Sequence, residues 1–433
     1  MFRRRGTAVL ASLLMAVGLT VSACSSQDRD GWDGTGPVPI TLWTHSAGNE
    51  GEMQVISQII SDYNASQDQY EVVRQDFPQD AYNTSVQGAA ASNDLPCILD
   101  VDGPIMPNWA WNGWLVPSGL TEQDVADFLP STVGRYENQI YTVGYWDATT
   151  LLFSRRSVLE NLGIRIPTVE QPWTGQEFED AERRIQASGQ FDYPVDWGPS
   201  DQSEWYTYAY SPLLQSFGGD LINRSGFETA DGVLNSPQSL EFAQWFQRQF
   251  TQGYAPSSNA QDRTEFETER VAIQYSGVWG YLRNHEAFGD DLVMLPPPDF
   301  GHGPKVGVGS WQYGLTRACT DRQKEGALAY LRFSLDDRYI AQFADVTSLI
   351  PATTTAAAQT TSGLYGPGQP LAFLPAMAEQ FGLLRPPTPA YPVISQVFQQ
   401  QFQDIVAGKA PAEALDQAVR EIDADINAAR YNR

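Results

Sequence analysis

The chain has 433 residues, a formal net charge of −25 and a pI near 4.4. That length exceeds what a single hydrophobic core usually supports, so two domains are expected. The acid excess repels phosphate backbones and anionic headgroups, which argues against nucleic acid and acidic lipid surfaces as partners; most of the acids are otherwise read as a solvated surface.

Met1 to Cys24 reads MFRRRGTAVLASLLMAVGLTVSAC, three arginines, then an apolar run of signal length, then small residues before a cysteine. This is the tripartite pattern of a secretion signal and is short for a spanning helix. Val21-Ser22-Ala23-Cys24 resembles a bacterial lipobox, in which cleavage precedes a cysteine that then carries lipid. Residues 25–37 then form a flexible tether. No later segment is long and apolar enough to cross a bilayer. A soluble body outside the cytoplasm, held to a membrane surface through Cys24, is the expectation. Cys97 and Cys319 remain; they either pair in an oxidising compartment or stay a free buried pair.

The mature chain opens with the β-rich run Pro39 to Trp43, a loop through Asn49 and Glu50, and a helix marked by Val55, Ile56, Ile59, Ile60 and Tyr63. Trp43, Asn49, Glu50 and Glu52 lie at the carboxyl end of the strand, where open α/β sheets take ligands; the two glutamates also suit the positive end of the helix. A second strand over Tyr70 to Arg74 and a helix over 80–91 follow. Cys97 to Trp114 comes next: an apolar run ends in Asp100-Val101-Asp102, then a Gly-Pro break, then Trp109, Trp111 and Trp114. Carboxylates accept hydrogen bonds from sugar hydroxyls, and indoles offer flat apolar faces to sugar C–H groups. The same segment also fits a buried strand with a Trp-rich core helix. This alternation of strand and helix favours a largely parallel sheet covered on both faces.

Ile140 to Asp147 carries Tyr145, Trp146 and Asp147 in succession and reads as a segment crossing between two bodies. Mostly helical sequence follows, with Glu204 and Trp205 at a helix start after a polar loop and a Gly218-Gly219 stop. Val271 to Tyr275 is a strand entering Ser276-Gly277-Val278-Trp279, and Val306 to Gly309 repeats the theme into Ser310 and Trp311. Glycines before an indole let backbone and ring approach a ligand closely. Residues 352–362 read as low-complexity surface, and Pro411 to Asn427 as a docked amphipathic helix.

Catalytic signatures are missing: no serine elbow, metalloprotease helix or phosphate loop is present, and Gly307-Val308-Gly309 lacks the third glycine of a dinucleotide fingerprint. His45, His285 and His302 are scattered, with no spacing that reads as a metal site. No cofactor, metal or catalytic residue is therefore assigned, and the chain is not expected to be an enzyme. Asp100, Asp102, Asp147 and Glu204 keep a lipid-anchored glycosidase as a lesser alternative.

Together these landmarks resemble the extracellular sugar-binding proteins of bacterial ABC importers, the group of the maltose- and trehalose-binding proteins. The resemblance rests on Asn49-Glu50-Gly51-Glu52, Asp102 with Gly113 to Pro117, Gly144 to Asp147 before Leu151-Leu152-Phe153, Glu204-Trp205, Gly218-Gly219-Asp220, Ser276 to Trp279, Gly309-Ser310-Trp311, and Arg385 to Tyr391. It implies a two-lobe α/β fold with a hinge and an interlobe cleft. The lobes would be 38–145 plus 303–349 and 150–300 plus 352–433, with crossovers near 146–149, 301–302 and 350–351. Ligand contacts would come from Trp43, Asn49, Glu50, Glu52, Asp102, Trp146, Asp147, Glu204, Trp205, Trp279, Gly309, Ser310 and Trp311. Arg385 and Tyr391 join on the resemblance alone, and a structural ion pair is the other use of Arg385. The implied partners are a carbohydrate, the permease subunits of an importer and the membrane through the lipid on Cys24. A phosphorylated polyol or a peptide is the alternative cargo.

Overall fold

A computed structural model describes residues 32, 34–201, 204–260 and 262–431. The signal sequence, Cys24 and most of the expected tether lie outside the described residues. Among the described residues no helix is long and apolar enough to cross a membrane.

The strands in chain order are β1 (Val38–Thr44), β2 (Tyr70–Asp76), β3 (Ile98–Asp102), β4 (Leu115–Val116), β5 (Val133–Tyr136), β6 (Gln139–Val143) and β7 (Trp146–Arg155). They continue with β8 (Tyr193–Asp196), β9 (Val271–Gly277), β10 (Leu292–Leu295), β11 (Val306–Gly309), β12 (Trp311–Thr316), β13 (Ile350–Pro351) and β14 (Gly382–Leu383). They form two seven-stranded sheets, ordered β2-β1-β3-β12-β6-β5 with β4 beside β12, and β14-β11-β7-β9-β8 with β10 and β13 beside β7. The β1–β2 and β1–β3 pairs are parallel, as the strand–helix alternation predicts, whereas β12 runs antiparallel to β3.

Both faces of the first sheet are covered. Ile40 and Leu42 pack with Val55, Ile56 and Ile59 of the helix Glu50–Ser66, while Leu99 and Val101 pack with Tyr82 and Val86 of the helix Gln79–Ser92. The second lobe buries an aromatic core of Trp173, Trp197, Trp205, Trp245 and Phe242, closed by the helices Tyr391–Val406 and Pro411–Ala429. Cys97, at the foot of β3, is joined to Cys319 just beyond β12 in a disulfide with Cα atoms 4.2 Å apart.

The chain passes between the lobes at Gly144–Tyr145, between β6 and β7, and returns at Ser310, between β11 and β12. This corrects the expected crossover at 301–302 and the placing of residues 303–309 in the first lobe. The strand β11 belongs to the second sheet because its glycines allow it in: a side chain at Gly307 would meet the Tyr208 carbonyl at 2.3 Å. The two crossings touch, since a side chain at Gly144 would meet Ser310 Oγ at 2.2 Å and the Trp311 carbonyl at 2.5 Å. The stretch 352–362 is not all surface either: Ala352, Thr353 and Ala356 are buried, with Thr353 capping a short helical turn.

Candidate functional site

A cavity of about 550 Å³ lies between the lobes, within the range of small-molecule sites. Its floor is made where strands end. The register of β3 with β12 sets Asp102 opposite Trp311, so a carboxylate and an indole share one edge of the first sheet. Nearby, the loop after β1 supplies His45 and Asn49, and the first helical turn supplies Glu52. Asn49 caps that helix, accepting from the Glu52 N–H and donating to its carboxylate at 2.7 Å.

A buried guanidinium ties the lobes together beneath the cavity. Arg385 donates two bonds to Asp102, at 2.7 and 2.9 Å, and a third to Glu204 at 3.1 Å. Tyr391 and Ser395 also donate to Glu204. Burial alone would pull the Arg385 pKa down, but Asp102, Tyr391 and Glu204 outweigh it and hold the cation well above its ordinary range. For Glu204 the loss of water raises the pKa despite Arg385. The Nε of Arg385 is buried without a partner.

A second polar assembly lies under Trp311. The His45 ring stacks on the indole at 3.7 Å and 13°, with Nδ1 at 2.5 Å from Asp100 and Nε2 at 3.6 Å from Glu52. Burial lowers the His45 pKa, yet the Asp100, Glu52 and Asp102 carboxylates together raise it above the ordinary value. Glu52 is itself raised by burial, partly offset by His45.

The remaining wall is aromatic. Trp279 is 43% exposed, a large fraction for an indole in a folded core, and stands 6.2 Å from Trp205 and 6.0 Å from Tyr208. Trp146 and Trp311 also line the cavity.

The structure therefore brings Asn49, Glu52, Asp102, Trp146, Glu204, Trp205, Trp279, Gly309, Ser310, Trp311 and Arg385 to one cavity. Four expected residues lie off its wall. Strand alternation turns Trp43 away, against Phe77 at 4.7 Å. Glu50 is on the solvent side of its helix turn. Asp147 is buried at the crossing, where it accepts from Ser131 Oγ at 2.6 Å and from the Ala148 and Gly309 N–H groups at 2.8 Å. Tyr391 is fully buried and reaches the site through its hydroxyl, which donates to Glu204 and accepts from Arg385 at 3.3 Å. Of the other residues singled out, Asp100 pairs with His45, Trp109 is core, and Trp111 meets Tyr431 edge-on at 4.9 Å.

Sequence reasoning missed His45, Tyr208 and Ser395, and a polar row facing the cavity from the Gln79–Ser92 helix: Gln79, Asp80, Asn83 and Gln87. The row had a signal, a polar stripe at helical spacing. His45 shares a loop with Asn49, and Tyr208 is one turn beyond Glu204. The facing amides Gln396 and Gln399 had no local signal.

The arrangement offers hydrogen-bond acceptors, amides and stacking faces around a space for a polar, flat-faced solute. In solved structures the chain is similar to the maltose/maltodextrin-binding domain MalE of Bdellovibrio bacteriovorus bound to maltotriose, with TM-score 0.75, 18% identity, and coverage of 90% of this chain and 100% of that one. It is similar to the GacH receptor of Streptomyces glaucescens, solved unliganded and with acarbose, with TM-score 0.74, 19% identity, and coverage of 91% and 99%. The cyclic α-maltosyl-1,6-maltose binding protein of Arthrobacter globiformis gives TM-score 0.73, 20% identity, and coverage of 90% and 100%. A curated relative, an uncharacterized lipoprotein in the oleD 5′ region of Streptomyces antibioticus, is 24% identical over 379 residues, 82% of this chain and 77% of that one. The family model of the bacterial extracellular solute-binding protein matches residues 58–363, most of the chain, and this protein belongs to that family.

Proposed function

We propose that this protein captures a neutral carbohydrate, a di- or oligosaccharide, outside the cytoplasm and delivers it intact to the permease of an ABC importer. The observation that carries the reading is the pairing, in one interlobe cavity, of an open Trp279 face with a carboxylate from each lobe, the buried Asp102 and the half-buried Glu204. Glu52, Asp102 and Glu204 accept charge-assisted hydrogen bonds from sugar hydroxyls, while Trp279 and Trp311 stack on ring faces. Hinge closure about the 144–145 and 310 crossings, with the β13 segment alongside, excludes water and strengthens those bonds. Maltotriose and acarbose in the similar proteins support this cargo class. Lipidation of Cys24 tethers the body to the outer face of the cell membrane.

The same geometry disfavours the alternatives. The cavity's guanidinium is already engaged by two carboxylates, a poor arrangement for a phosphorylated polyol. Asp102 and Glu204 line the cavity but are bridged to each other by that one guanidinium, so no glycosidase step is assigned to them.

A thermal-shift screen of residues 25–433 against mono-, di- and oligosaccharides, polyol phosphates and peptides tests the proposal. A ligand that binds only the folded state raises the melting temperature once its concentration exceeds Kd. The expected result is a rise with an oligosaccharide that chromatography then recovers unchanged. A rise only with phosphates or peptides, or consumption of the sugar, would overturn it.

A further inference from the structure

His45 is only 5% exposed, although it borders the cavity. One ring face covers Trp311 at 3.7 Å, nearly parallel, while Tyr82 meets that indole edge-on at 5.7 Å. The indole is thus backed on one side and braced at its edge, with the rest of it facing the cavity. The imidazole is itself fixed, through Nδ1, by Asp100, a fully buried carboxylate whose other oxygen has no partner. Its second nitrogen faces Glu52, whose carboxylate is held from elsewhere only by Ser46 and Asn49.

Only an imidazole satisfies all of these demands. A phenyl ring would back the indole but leave Asp100 buried and unpaired, which is costly. An amide would serve Asp100 and leave the indole without a backing. The titratable groups around the ring are Asp100 and Asp102 from β3, Glu52 from its helix, Tyr82 from the next helix and Tyr313 from β12. Both tyrosines are held neutral by burial, and Asp102 is engaged by Arg385, so Asp100 and Glu52 are the carboxyl groups that touch His45 directly.

We propose that His45 is a positioning residue for the ligand: an imidazolium clamped by Asp100 that holds the Trp311 ring as a fixed stacking surface and supplies the counter-charge to Glu52. The identity of the ligand rests on the carbohydrate reading; the His45–Trp311 stack does not.

The test separates the two. An imidazolium in contact with an indole quenches its emission, so the Trp311 contribution, taken as wild type minus Trp311→Phe, is followed without ligand from about pH 5 to about pH 9. The Trp311 emission is expected to rise as the pH passes a midpoint above 6.5, the ordinary histidine value, and the step is expected to vanish in His45→Asn. A Trp311 contribution flat across that range would overturn the proposal even if the variant fails to fold. Calorimetry with maltotriose then reads positioning: His45→Asn should bind roughly three- to tenfold more weakly, the cost of ordering a freed side chain. His45→Phe, which keeps the backing, should recover part of that loss with no pH step. Wild-type affinity in His45→Asn would overturn the positioning role. The expected emission step with no maltotriose binding by wild type would support the stack and count against the carbohydrate reading.

Discussion

Asp147 shows how a single carboxylate can be read correctly for burial and wrongly for purpose. A charged residue in an extended run suggested a group facing a gap; instead it bonds across the crossing, to Ser131 and to the Gly309 N–H. Burial pushes its pKa up to about 6, although the Ser131 hydroxyl and the Gly309 and Ala148 N–H groups oppose the shift. The folded state therefore holds this proton up to about 6 while the unfolded chain releases it near 3.8, so stability contributed by Asp147 falls as pH rises between those values. The loss is about 3 kcal/mol. Asp147→Asn keeps two acceptor contacts and turns the third into a donor to Ser131. Denaturant titrations at several pH values should show the variant losing less stability than wild type across that window; parallel curves would contradict the assignment. Arg385 belongs to the same scale. Arg385→Met strands the buried Asp102 carboxylate and the half-buried Glu204, and a stability loss of about 3 kcal/mol is expected by chemical denaturation. Sequence could name Arg385 only through resemblance, because its partner Asp102 lies 283 positions away and no local pattern joins them.

At the scale of elements, the legible parts are those where local chemistry decides. The strand, loop and capped helix from Val38 to Ser66 follow from alternation, from Asn49 and from apolar spacing. The tail helix Pro411–Ala429 follows from its stripe of Leu415, Val419, Ile422 and Ile426. What was hidden depends on which sheet a short strand joins. Val306–Gly309 is four residues, half of them glycine, and pairing with β7 and β14 rather than its own pattern places it. The turn after β9 gives a test of the glycine-before-indole argument. A side chain at Gly277 would collide with the Trp279 ring at 2.0 Å, against a strand whose other residues are buried. Gly277→Ala should swing Trp279 out of the cavity and weaken ligand binding about tenfold, the value of one lost aromatic contact. Unchanged affinity in calorimetry would show that the ring moves freely or is not used.

For the whole molecule, two domains were readable from length and the two-lobe arrangement from the family resemblance, whereas the pairing of the cysteines was not. The Cys97–Cys319 bond spans 222 positions and pins the start of β3 to the end of β12. The cavity residues Asp102 and Trp311 sit at the opposite end of that strand pair. Replacing both cysteines by serine should therefore lower stability by about 3 kcal/mol while leaving ligand affinity within about twofold. A large affinity loss without loss of stability would place the bond in the function of the cleft. The central claim is that the interlobe cavity holds a carbohydrate against its tryptophans. Calorimetric titration of the mature protein and of Trp279→Ala with the same oligosaccharide tests it most directly, because Trp279 is exposed enough for its removal to spare the fold. The account predicts one-site binding by the wild type and roughly tenfold weaker binding by the variant at an unchanged melting temperature. Equal affinities in the two proteins, or no heat from any oligosaccharide, would contradict it.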